Sequence, residues 1–374
     1  MQKILIEKEK IFDNLIVCDM EKMVTMQQDE LLCKKYSNIG VLHLPKSLRI
    51  EMKYESPFAT YEQRPFVCAR PTVCFKVQIS EIDNQSDYIL LKDGVLYSKD
   101  MSRLIYCWQE KEHFTIPQSV KVIEPFAFCL QKRLRDIELH NDIVSIGNAA
   151  FMGCEALEHI VIPRSVMEIE SDTFDGCISL KRVELHDEIT QIGRNAFRHC
   201  EALQNIILPR NLNYLNGFEC CYSLHEIDIP SSVREIDGFM FCDNLRKVIL
   251  HSGVRKIRDY AFRFCKRLAT INFPEGLETI GARAFYPSRM VKVIFPNSLK
   301  KIETEAFYHN EKLSYIEFLS NVSVEDCAFA CCPIIRIKKP DDMILEIKCL
   351  SKTPRMISLL SGIEMQWHHV KPME

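Results

Sequence analysis

The chain has 374 residues, of which 47% are hydrophobic and 26% are charged, proportions that are ordinary for a globular protein. Its formal net charge of -3 argues against a surface of clustered Lys and Arg that would neutralise phosphates, so nucleic acid is not an expected partner. No stretch approaches the roughly 18 apolar residues of a membrane helix, and membrane insertion is not expected either.

The first 88 residues contain candidate strands but no repeat. Apolar and polar residues alternate in "KILIEKEK" and "VCFKVQISEI", whereas "QQDELLCKKY" is compatible with a short helix and "YESPFATYEQRPFVCARP" is loop-like because of its prolines. We expect residues 1–88 to form a cap or a small β-rich domain.

The N-terminal sequence also bears on localisation. Its first apolar run, residues 4–6, is too short for the core of a secretory signal, which predicts a cytoplasmic protein. The chain contains 17 cysteines, and an odd number without a leader favours free thiols over disulfides.

A repeat dominates residues 116–340. Each unit reads approximately I-x-x-x-A-F-x-x-C-x-x-L-x-x-I-x-L-P-x-S-V, as in "AFMGCEALEHIVIP" at residues 150–163. A period of this length is typical of stacked coils, none of which can bury its apolar residues alone. The alternation in L-x-x-I-x-L predicts one short strand per coil and a parallel sheet across the coils. Ten phenylalanines, 21 to 23 residues apart, anchor the repeat: Phe128, Phe151, Phe174, Phe197, Phe218, Phe239, Phe262, Phe285, Phe307 and Phe329.

Two units are shorter than most others at one place. "YLNGF" at residues 214–218 and "EIDGF" at residues 235–239 lack two residues that "SIGNAAF" has at residues 145–151. We expect loops to absorb these differences.

The units resemble the BspA-like leucine-rich repeats. "IPRSVMEIESDTFDGCISLKRV" and "LHDEITQIGRNAFRHCEALQNI" match the consensus type of that family, and "DGVLYSKDMSRLIYCWQEKEHFTIPQSVKVI" at residues 93–123 is similar to the hairpin that leads into such repeats. The resemblance covers about residues 90–340. It implies an α/β, β-rich leucine-rich-repeat solenoid of about ten coils, each of 21–23 residues, with parallel strands on the concave face.

The resemblance further implies a domain order and a role. We expect the N-terminal domain at 1–88, the hairpin at 89–115, the repeats at 116–340 and a C-terminal cap at 341–374, in which Trp367 is a candidate capping residue. The family resemblance implies protein binding or adhesion, often at a cell surface. The missing export signal departs from that surface role.

The cysteine of the repeat raises the question of a metal or redox site. Three of its ten positions hold Gln, Ser or Asn, which share hydrogen-bonding ability with cysteine but not thiolate chemistry. We therefore predict a buried scaffold column whose thiols pack as small apolar groups and donate weakly to turn carbonyls. The column reads Gln131, Cys154, Cys177, Cys200, Cys221, Cys242, Cys265, Ser288, Asn310 and Cys332.

No motif indicates catalysis, a cofactor or a metal. The chain has no G-x-x-x-x-G-K-[ST], H-E-x-x-H, G-x-S-x-G or C-x-x-C pattern. A catalytic thiol would have to lie in the N-terminal region, where Cys68 and Cys74 flank "ARPTV". His140, His186 and His251 occupy equivalent turns, but the first two lie two coils apart, about 10 Å, so one ion cannot bind both. We predict that they are solvated turn residues.

Residues that flank the inner Ile of each strand are predicted to face outward on the concave sheet. Exposed aliphatic residues among mixed charges favour a protein partner, although β-branched residues are common in any strand. The predicted partner-binding residues are His159, Val161, Arg182, Glu184, Asn205, Ile207, Glu226, Asp228, Lys247 and Ile249.

These features predict a non-enzymatic scaffold that binds an unidentified protein partner and needs no cofactor. Two alternatives stay open. One is a cell-surface adhesin exported without a recognisable signal, and the other is an enzyme or regulator whose activity lies in residues 1–88.

Overall fold

The structure is a computed structural model that describes residues 87, 89–107 and 109–350, together with the backbone of six strands nearer the N-terminus. The segment "QQDELLCKKY", Cys68, Cys74 and Trp367 lie outside the described residues. The six strands form one parallel and one antiparallel sheet. The parallel sheet contains Lys3–Leu5, Asn38–Leu44 and Gln78–Asn84, and the antiparallel sheet contains Ile16–Asp19, Lys22–Met23 and Arg49–Glu51.

An antiparallel unit of three strands precedes the repeats. It consists of Ile89–Lys92, Val95–Ser98 and Arg103–Cys107. Asp93 and Gly94 between the first two strands have φ values of 48° and 74°, which is the geometry of a tight hairpin turn. The third strand pairs in parallel with Val122–Ile123, so the hairpin leads directly into the solenoid.

The L-x-x-I-x-L segments form a first ladder of parallel strands, as predicted. In most of these strands the central aliphatic residue is buried and its neighbours reach solvent. The strands are His113–Thr115, Asp136–Glu138, His159–Val161, Arg182–Glu184, Glu226–Asp228, Lys247–Ile249, Thr270–Ile271, Lys292–Phe295, Tyr315–Phe318 and Arg336–Lys338.

One coil departs from the prediction of one such strand per coil. Residues 205–207 form no strand, and the prediction is wrong there. The bond to the preceding coil forms earlier in the chain instead, where the amide of Ala202 donates to the carbonyl of Ile178 at 3.1 Å. Within the described residues the ladder is divided into four hydrogen-bonded groups, and one of the three breaks lies at this coil.

A second parallel ladder, which the sequence analysis did not predict, runs along another wall of the coils. Its two-residue strands each end on an aliphatic residue, which is buried in all of them except Val324, as in Glu168–Ile169. The ladder is interrupted after Ser145–Ile146 and again after Tyr214–Leu215. Its strands are Val122–Ile123, Ser145–Ile146, Glu168–Ile169, Gln191–Ile192, Tyr214–Leu215, Glu235–Ile236, Lys256–Ile257, Thr279–Ile280, Lys301–Ile302 and Ser323–Val324.

The ten repeat phenylalanines form a continuous stack through the core. All are fully buried, and successive ring centroids lie 5.0 to 5.5 Å apart with interplanar angles of at most 22°. Each ring thus fills the space between its neighbours, at distances typical of favourable aromatic pairs. This stack confirms the register inferred from the phenylalanine spacing.

A short 3-10 turn, Ile347–Leu350, follows the last coil. The amide of Phe329 donates to the carbonyl of Cys349 at 2.8 Å, and Cys349 and Met343 are buried. This segment therefore satisfies backbone groups at the end of the last coil, as a capping segment must.

Candidate functional sites

Three aliphatic residues of one repeat column are exposed on one surface, which we call the concave face: the outward side of the first ladder together with the coil at 205–207 that interrupts it. The exposed fractions are 46% for Val161, 87% for Ile207 and 41% for Ile294, and Ile249 in the same column is half-buried. These residues recur in every second coil. Since adjacent strands are about 4.8 Å apart, the aliphatic side chains follow one another at intervals of about 10 Å.

Most of the charged residues predicted for this face pair with one another across or along the coils. The Nε2 of His159 donates to the carboxylate of Glu184 at 3.1 Å, and an Arg182 nitrogen lies 2.9 Å from the same carboxylate oxygen. Two further pairs are Lys247 with Glu226 at 2.6 Å and His251 with Asp228 at 2.7 Å. Exposed pairs of this kind contribute about 0–1 kcal/mol each. Their consequence is a face whose charges are locally balanced.

The structure brings the ten predicted residues into two groups. His159 lies beside Arg182 and Val161 beside Glu184 in one pair of strands. Glu226 lies beside Lys247 and Asp228 beside Ile249 in another pair. Asn205 and Ile207 come from the coil that interrupts the ladder and stand between the groups.

The cysteine column is a scaffold feature. Its seven cysteines are buried free thiols, and each donates to the carbonyl of a repeat phenylalanine in the preceding coil at 3.0 to 3.3 Å. Gln131 and Asn310 donate from the same column to carbonyls of earlier residues. Burial raises the pKa of Cys332 to about 12, which keeps that thiol protonated at neutral pH. The predicted role of the column is confirmed.

The three equivalent histidines differ from one another. The Nε2 atoms of His140 and His186 donate to the carbonyls of Pro117 and Pro163 at 3.0 and 2.8 Å, and both rings are partly buried. The prediction of solvated turn residues is therefore wrong for these two, because the imidazole bridges to the coil below. His251 is exposed and pairs with an aspartate.

A recess that the sequence analysis missed lies along the second ladder, at the two short units. In eight of the ten units, four residues separate the last strand residue of this ladder from the repeat phenylalanine, but in two units only two residues do. These short links are residues 216–217 and 237–238. Gly238 has a φ of +80°, and a Cβ on it would lie 2.4 Å from the backbone nitrogen of Gly217. Glycine is required because the two short links touch.

Although the two links are in contact at their glycines, the strands that precede them, both of which the structure describes, are not hydrogen-bonded to each other. The amides of Asn213 and Asn216 donate to the preceding coil, at 2.9 Å to Thr190 and 3.1 Å to Ile192. The equivalent amides one coil later belong to Arg234 and Asp237, and within the described residues they make no such bond. A cavity of about 530 Å³ opens between the coils.

Polar side chains from four coils line this recess. Arg194 and Arg258 come from the full-length units on either side, whereas Asn216 and Asp237 come from the short links. Arg258 pairs with Glu235 at 2.7 Å and lies 3.8 Å from Asp237. The Oδ1 atom of Asn216 is buried and has no hydrogen-bond partner within the described residues.

A buried charged row ends at the recess. Asp175, Arg198 and Glu219 each follow a repeat phenylalanine in three successive coils, and Arg198 donates two hydrogen bonds to Asp175, at 3.1 and 2.8 Å. Glu219 lines the recess, and Arg198 and Arg194 are the cations near its carboxylate. Burial raises the pKa of Glu219, and the neighbouring Arg198 opposes that rise.

Ten stacked units with a parallel ladder and an internal phenylalanine stack define a leucine-rich-repeat solenoid. The BspA type Leucine rich repeat region matches residues 121–244 and 237–353 with six copies, which is more than half of the chain. The protein belongs to this family, as the sequence resemblance predicted.

The chain is similar to several solved structures, and the first of these shows the same fold. A leucine-rich repeat protein from Bacteroides ovatus has a TM-score of 0.58 and 25% identity, over 69% of this chain and 76% of its own. TpLRR of T. pallidum has a TM-score of 0.38 and 27% identity, over 52% and 82%. A leucine rich cell surface protein from Faecalibacterium prausnitzii has a TM-score of 0.37 and 18% identity, over 71% and 89%. No curated protein matches the chain significantly.

The part of the chain that the structure describes contains no helix suited to crossing a membrane. Within the same ranges, no three His, Cys, Asp or Glu side chains are arranged to hold a metal ion.

Proposed function

We propose that this protein is a non-enzymatic scaffold that presents its concave face to a protein partner. The observation that carries the proposal is the line of aliphatic side chains on that face, where Val161, Ile207 and Ile294 are 46%, 87% and 41% exposed. Apolar surface rimmed by polar groups is typical of protein interfaces.

The charge pattern of the face supports a protein rather than a polyanion. Binding of a phosphate backbone needs clustered Lys and Arg without nearby acids. Here Arg182 and Lys247 already pair with carboxylates, at 2.9 and 2.6 Å. The exposed aliphatic side chains are therefore the groups on this face whose burial by a partner would contribute most to binding.

Affinity capture from the native cell tests the proposal. The bait with Val161→Asp and Ile207→Asp should lose about tenfold or more of its partner, because a charge in the centre of an apolar contact is costly. A matched control carries Val144→Asp and Met167→Asp, which change residues of similar exposure (53% and 50%) outside the concave face. Equal capture by the first variant and the wild type would contradict the proposal.

The location of the scaffold is a separate prediction, with the cytoplasm and the cell surface as the two alternatives. Fractionation of the native cell distinguishes the two locations. Recovery in the soluble cytoplasmic fraction supports an intracellular scaffold, whereas recovery on the cell surface supports the adhesin alternative.

A further inference from the structure

We propose that the recess between the two short units is a second binding site, for one or two sugar residues of a neutral saccharide. This site is distinct from the concave face. It lies along the second ladder, beside two links that are two residues shorter than those of the other eight units.

The recess is bounded below by the two short links and on either side by the longer links of the adjacent units. Two successive links lose two residues each, which lowers the surface between the full-length links that carry Arg194 and Arg258. The volume of about 530 Å³ falls within the range of roughly 300 to 1,000 Å³ that is usual for small-molecule sites.

The lining excludes two broad classes of ligand. Three arginines, Arg194, Arg234 and Arg258, face three acids, Glu219, Glu235 and Asp237, so the formal charge of the lining is zero. A phosphate or a polyamine would gain little from a balanced set of charges. An apolar ligand would need a mostly apolar lining, which this site lacks.

Ligand hydroxyl groups match the hydrogen-bonding groups in the recess. A hydroxyl donates and accepts at once, so it suits a site in which acceptors and donors alternate. The acceptors are the buried Oδ1 of Asn216, which has no hydrogen-bond partner within the described residues, and the carboxylate of Glu219 in the lining. The donors include the side chain of Arg194, which also lines the recess and whose charge favours the ionised forms of Glu219 and Asp237. A buried polar atom such as the Oδ1 of Asn216 normally has a partner, and a sugar hydroxyl would supply one.

Tyr214 adds the apolar surface that a sugar ring needs. Its side chain lies in the wall of the recess and is 47% exposed. An aromatic face can pack against the C–H groups of a pyranose while the surrounding polar side chains bind the hydroxyls. Together, a flat ring and a neutral set of donors and acceptors favour a saccharide over a free amino acid or a peptide.

The test uses the full chain and defined sugars. Neutral mono- and disaccharides are titrated by calorimetry, and an immobilised array of neutral, sulfated and sialylated glycans is probed in parallel. We expect saturable binding of at least one neutral sugar. Soluble sugars that bind identify a free saccharide, whereas binding confined to the array identifies residues within a glycan chain, and either result supports the site.

Variants then locate the binding. Tyr214→Ala and Glu219→Gln should each weaken binding of the sugar so identified by about tenfold or more, because each removes a stacking face or a charged acceptor. Thr279→Ala changes the same column of the second ladder away from the recess and should leave the affinity unchanged. Thermal melts of all variants show that they are folded.

Three results would overturn the proposal: no binding of neutral sugars in either format, binding restricted to charged glycans, or neutral-sugar binding that neither Tyr214→Ala nor Glu219→Gln weakens. The Val161→Asp and Ile207→Asp variant should bind the sugar normally. Failure of the concave-face proposal is thereby distinguishable from failure of this one.

Discussion

The regular units and the two short units share one core but have different walls. Phe218 stacks on Phe197 at 5.2 Å and on Phe239 at 5.4 Å, within the range found in the regular units. Cys242 donates to Phe218 at 3.0 Å, as its counterparts do elsewhere. On the second ladder, by contrast, the links are two residues shorter, and a cavity of about 530 Å³ lies beside them.

The length of the links on the second ladder can therefore change in this solenoid without a change in the packing of the core. Each coil contacts its immediate neighbours, so a shortened link is tolerated when the next core residue still reaches its position. The phenylalanine and cysteine columns specify the register. The walls are free to vary in length and polarity, and there the candidate sites are found.

The largest expected effect concerns the shared core. Phe174→Ala, in a regular unit, and Phe218→Ala, in a short one, should each lower the free energy of unfolding by about 3–5 kcal/mol because each leaves a large cavity in a packed stack. Chemical denaturation measures both. A cost below about 1 kcal/mol for Phe218→Ala alone would mean that the core is also loosened at the short units.

The next effect concerns the buried row that reaches the recess. Asp175→Asn should cost about 3 kcal/mol, because it leaves the buried guanidinium of Arg198 without its bidentate partner. Replacing both residues, with Asp175→Leu and Arg198→Met, should cost less than the single change. If the double variant is the less stable of the two, the pair contributes more than its burial costs, contrary to this account.

The thiols of the regular units should be protected by the fold. Burial raises the pKa of Cys154, Cys177 and Cys200 well above the ordinary value, so the reactive thiolate is scarce as well as inaccessible. Alkylation followed by peptide mass spectrometry should find these residues unmodified in the native protein and modified in denaturant. Rapid native labelling would indicate that the coils open.

The smallest effect is a pH dependence at the recess. Burial raises the pKa of Glu219 in the folded protein, so the folded state keeps its proton to higher pH than the unfolded state. This carboxyl therefore reduces stability as pH rises from about 4.3, the ordinary value for Glu, through the higher folded value. Glu219→Gln should gain stability relative to wild type between pH 4 and pH 8. An unchanged difference across that range would show that the carboxyl is solvated.

The parts of the fold that repeat were predictable, because ten copies of one pattern reinforce each other. The phenylalanine column and the thiol donors follow directly from it. The second ladder was missed because strands of two residues, such as Glu168–Ile169, are too short for an alternating pattern. The loss of the strand at 205–207 depends on backbone bonds between coils, which no local sequence encodes.

Of the two candidate sites, one could be predicted from the sequence and the other could not. The exposed position of Val161 follows from the strand period and that of Ile207 from its place in the same repeat column, so these exposed residues could be predicted from sequence. The recess could not, although its signal was present in "YLNGF" and "EIDGF". Two short links form a cavity only when they are adjacent in space and flanked by longer ones.

The central claim is that the second ladder lacks hydrogen bonds between the two short units while the core stack is unbroken there. Amide hydrogen exchange of the unmodified protein tests this claim most directly. We predict slow exchange at Phe174, Phe218 and Phe239, whose amides donate to the next coil at 2.8, 2.7 and 3.0 Å. At the wall, the amides of Arg234 and Asp237 should exchange much faster than those of Asn213 and Asn216. Equal protection at these wall positions, or fast exchange at Phe218 and Phe239, would contradict the account.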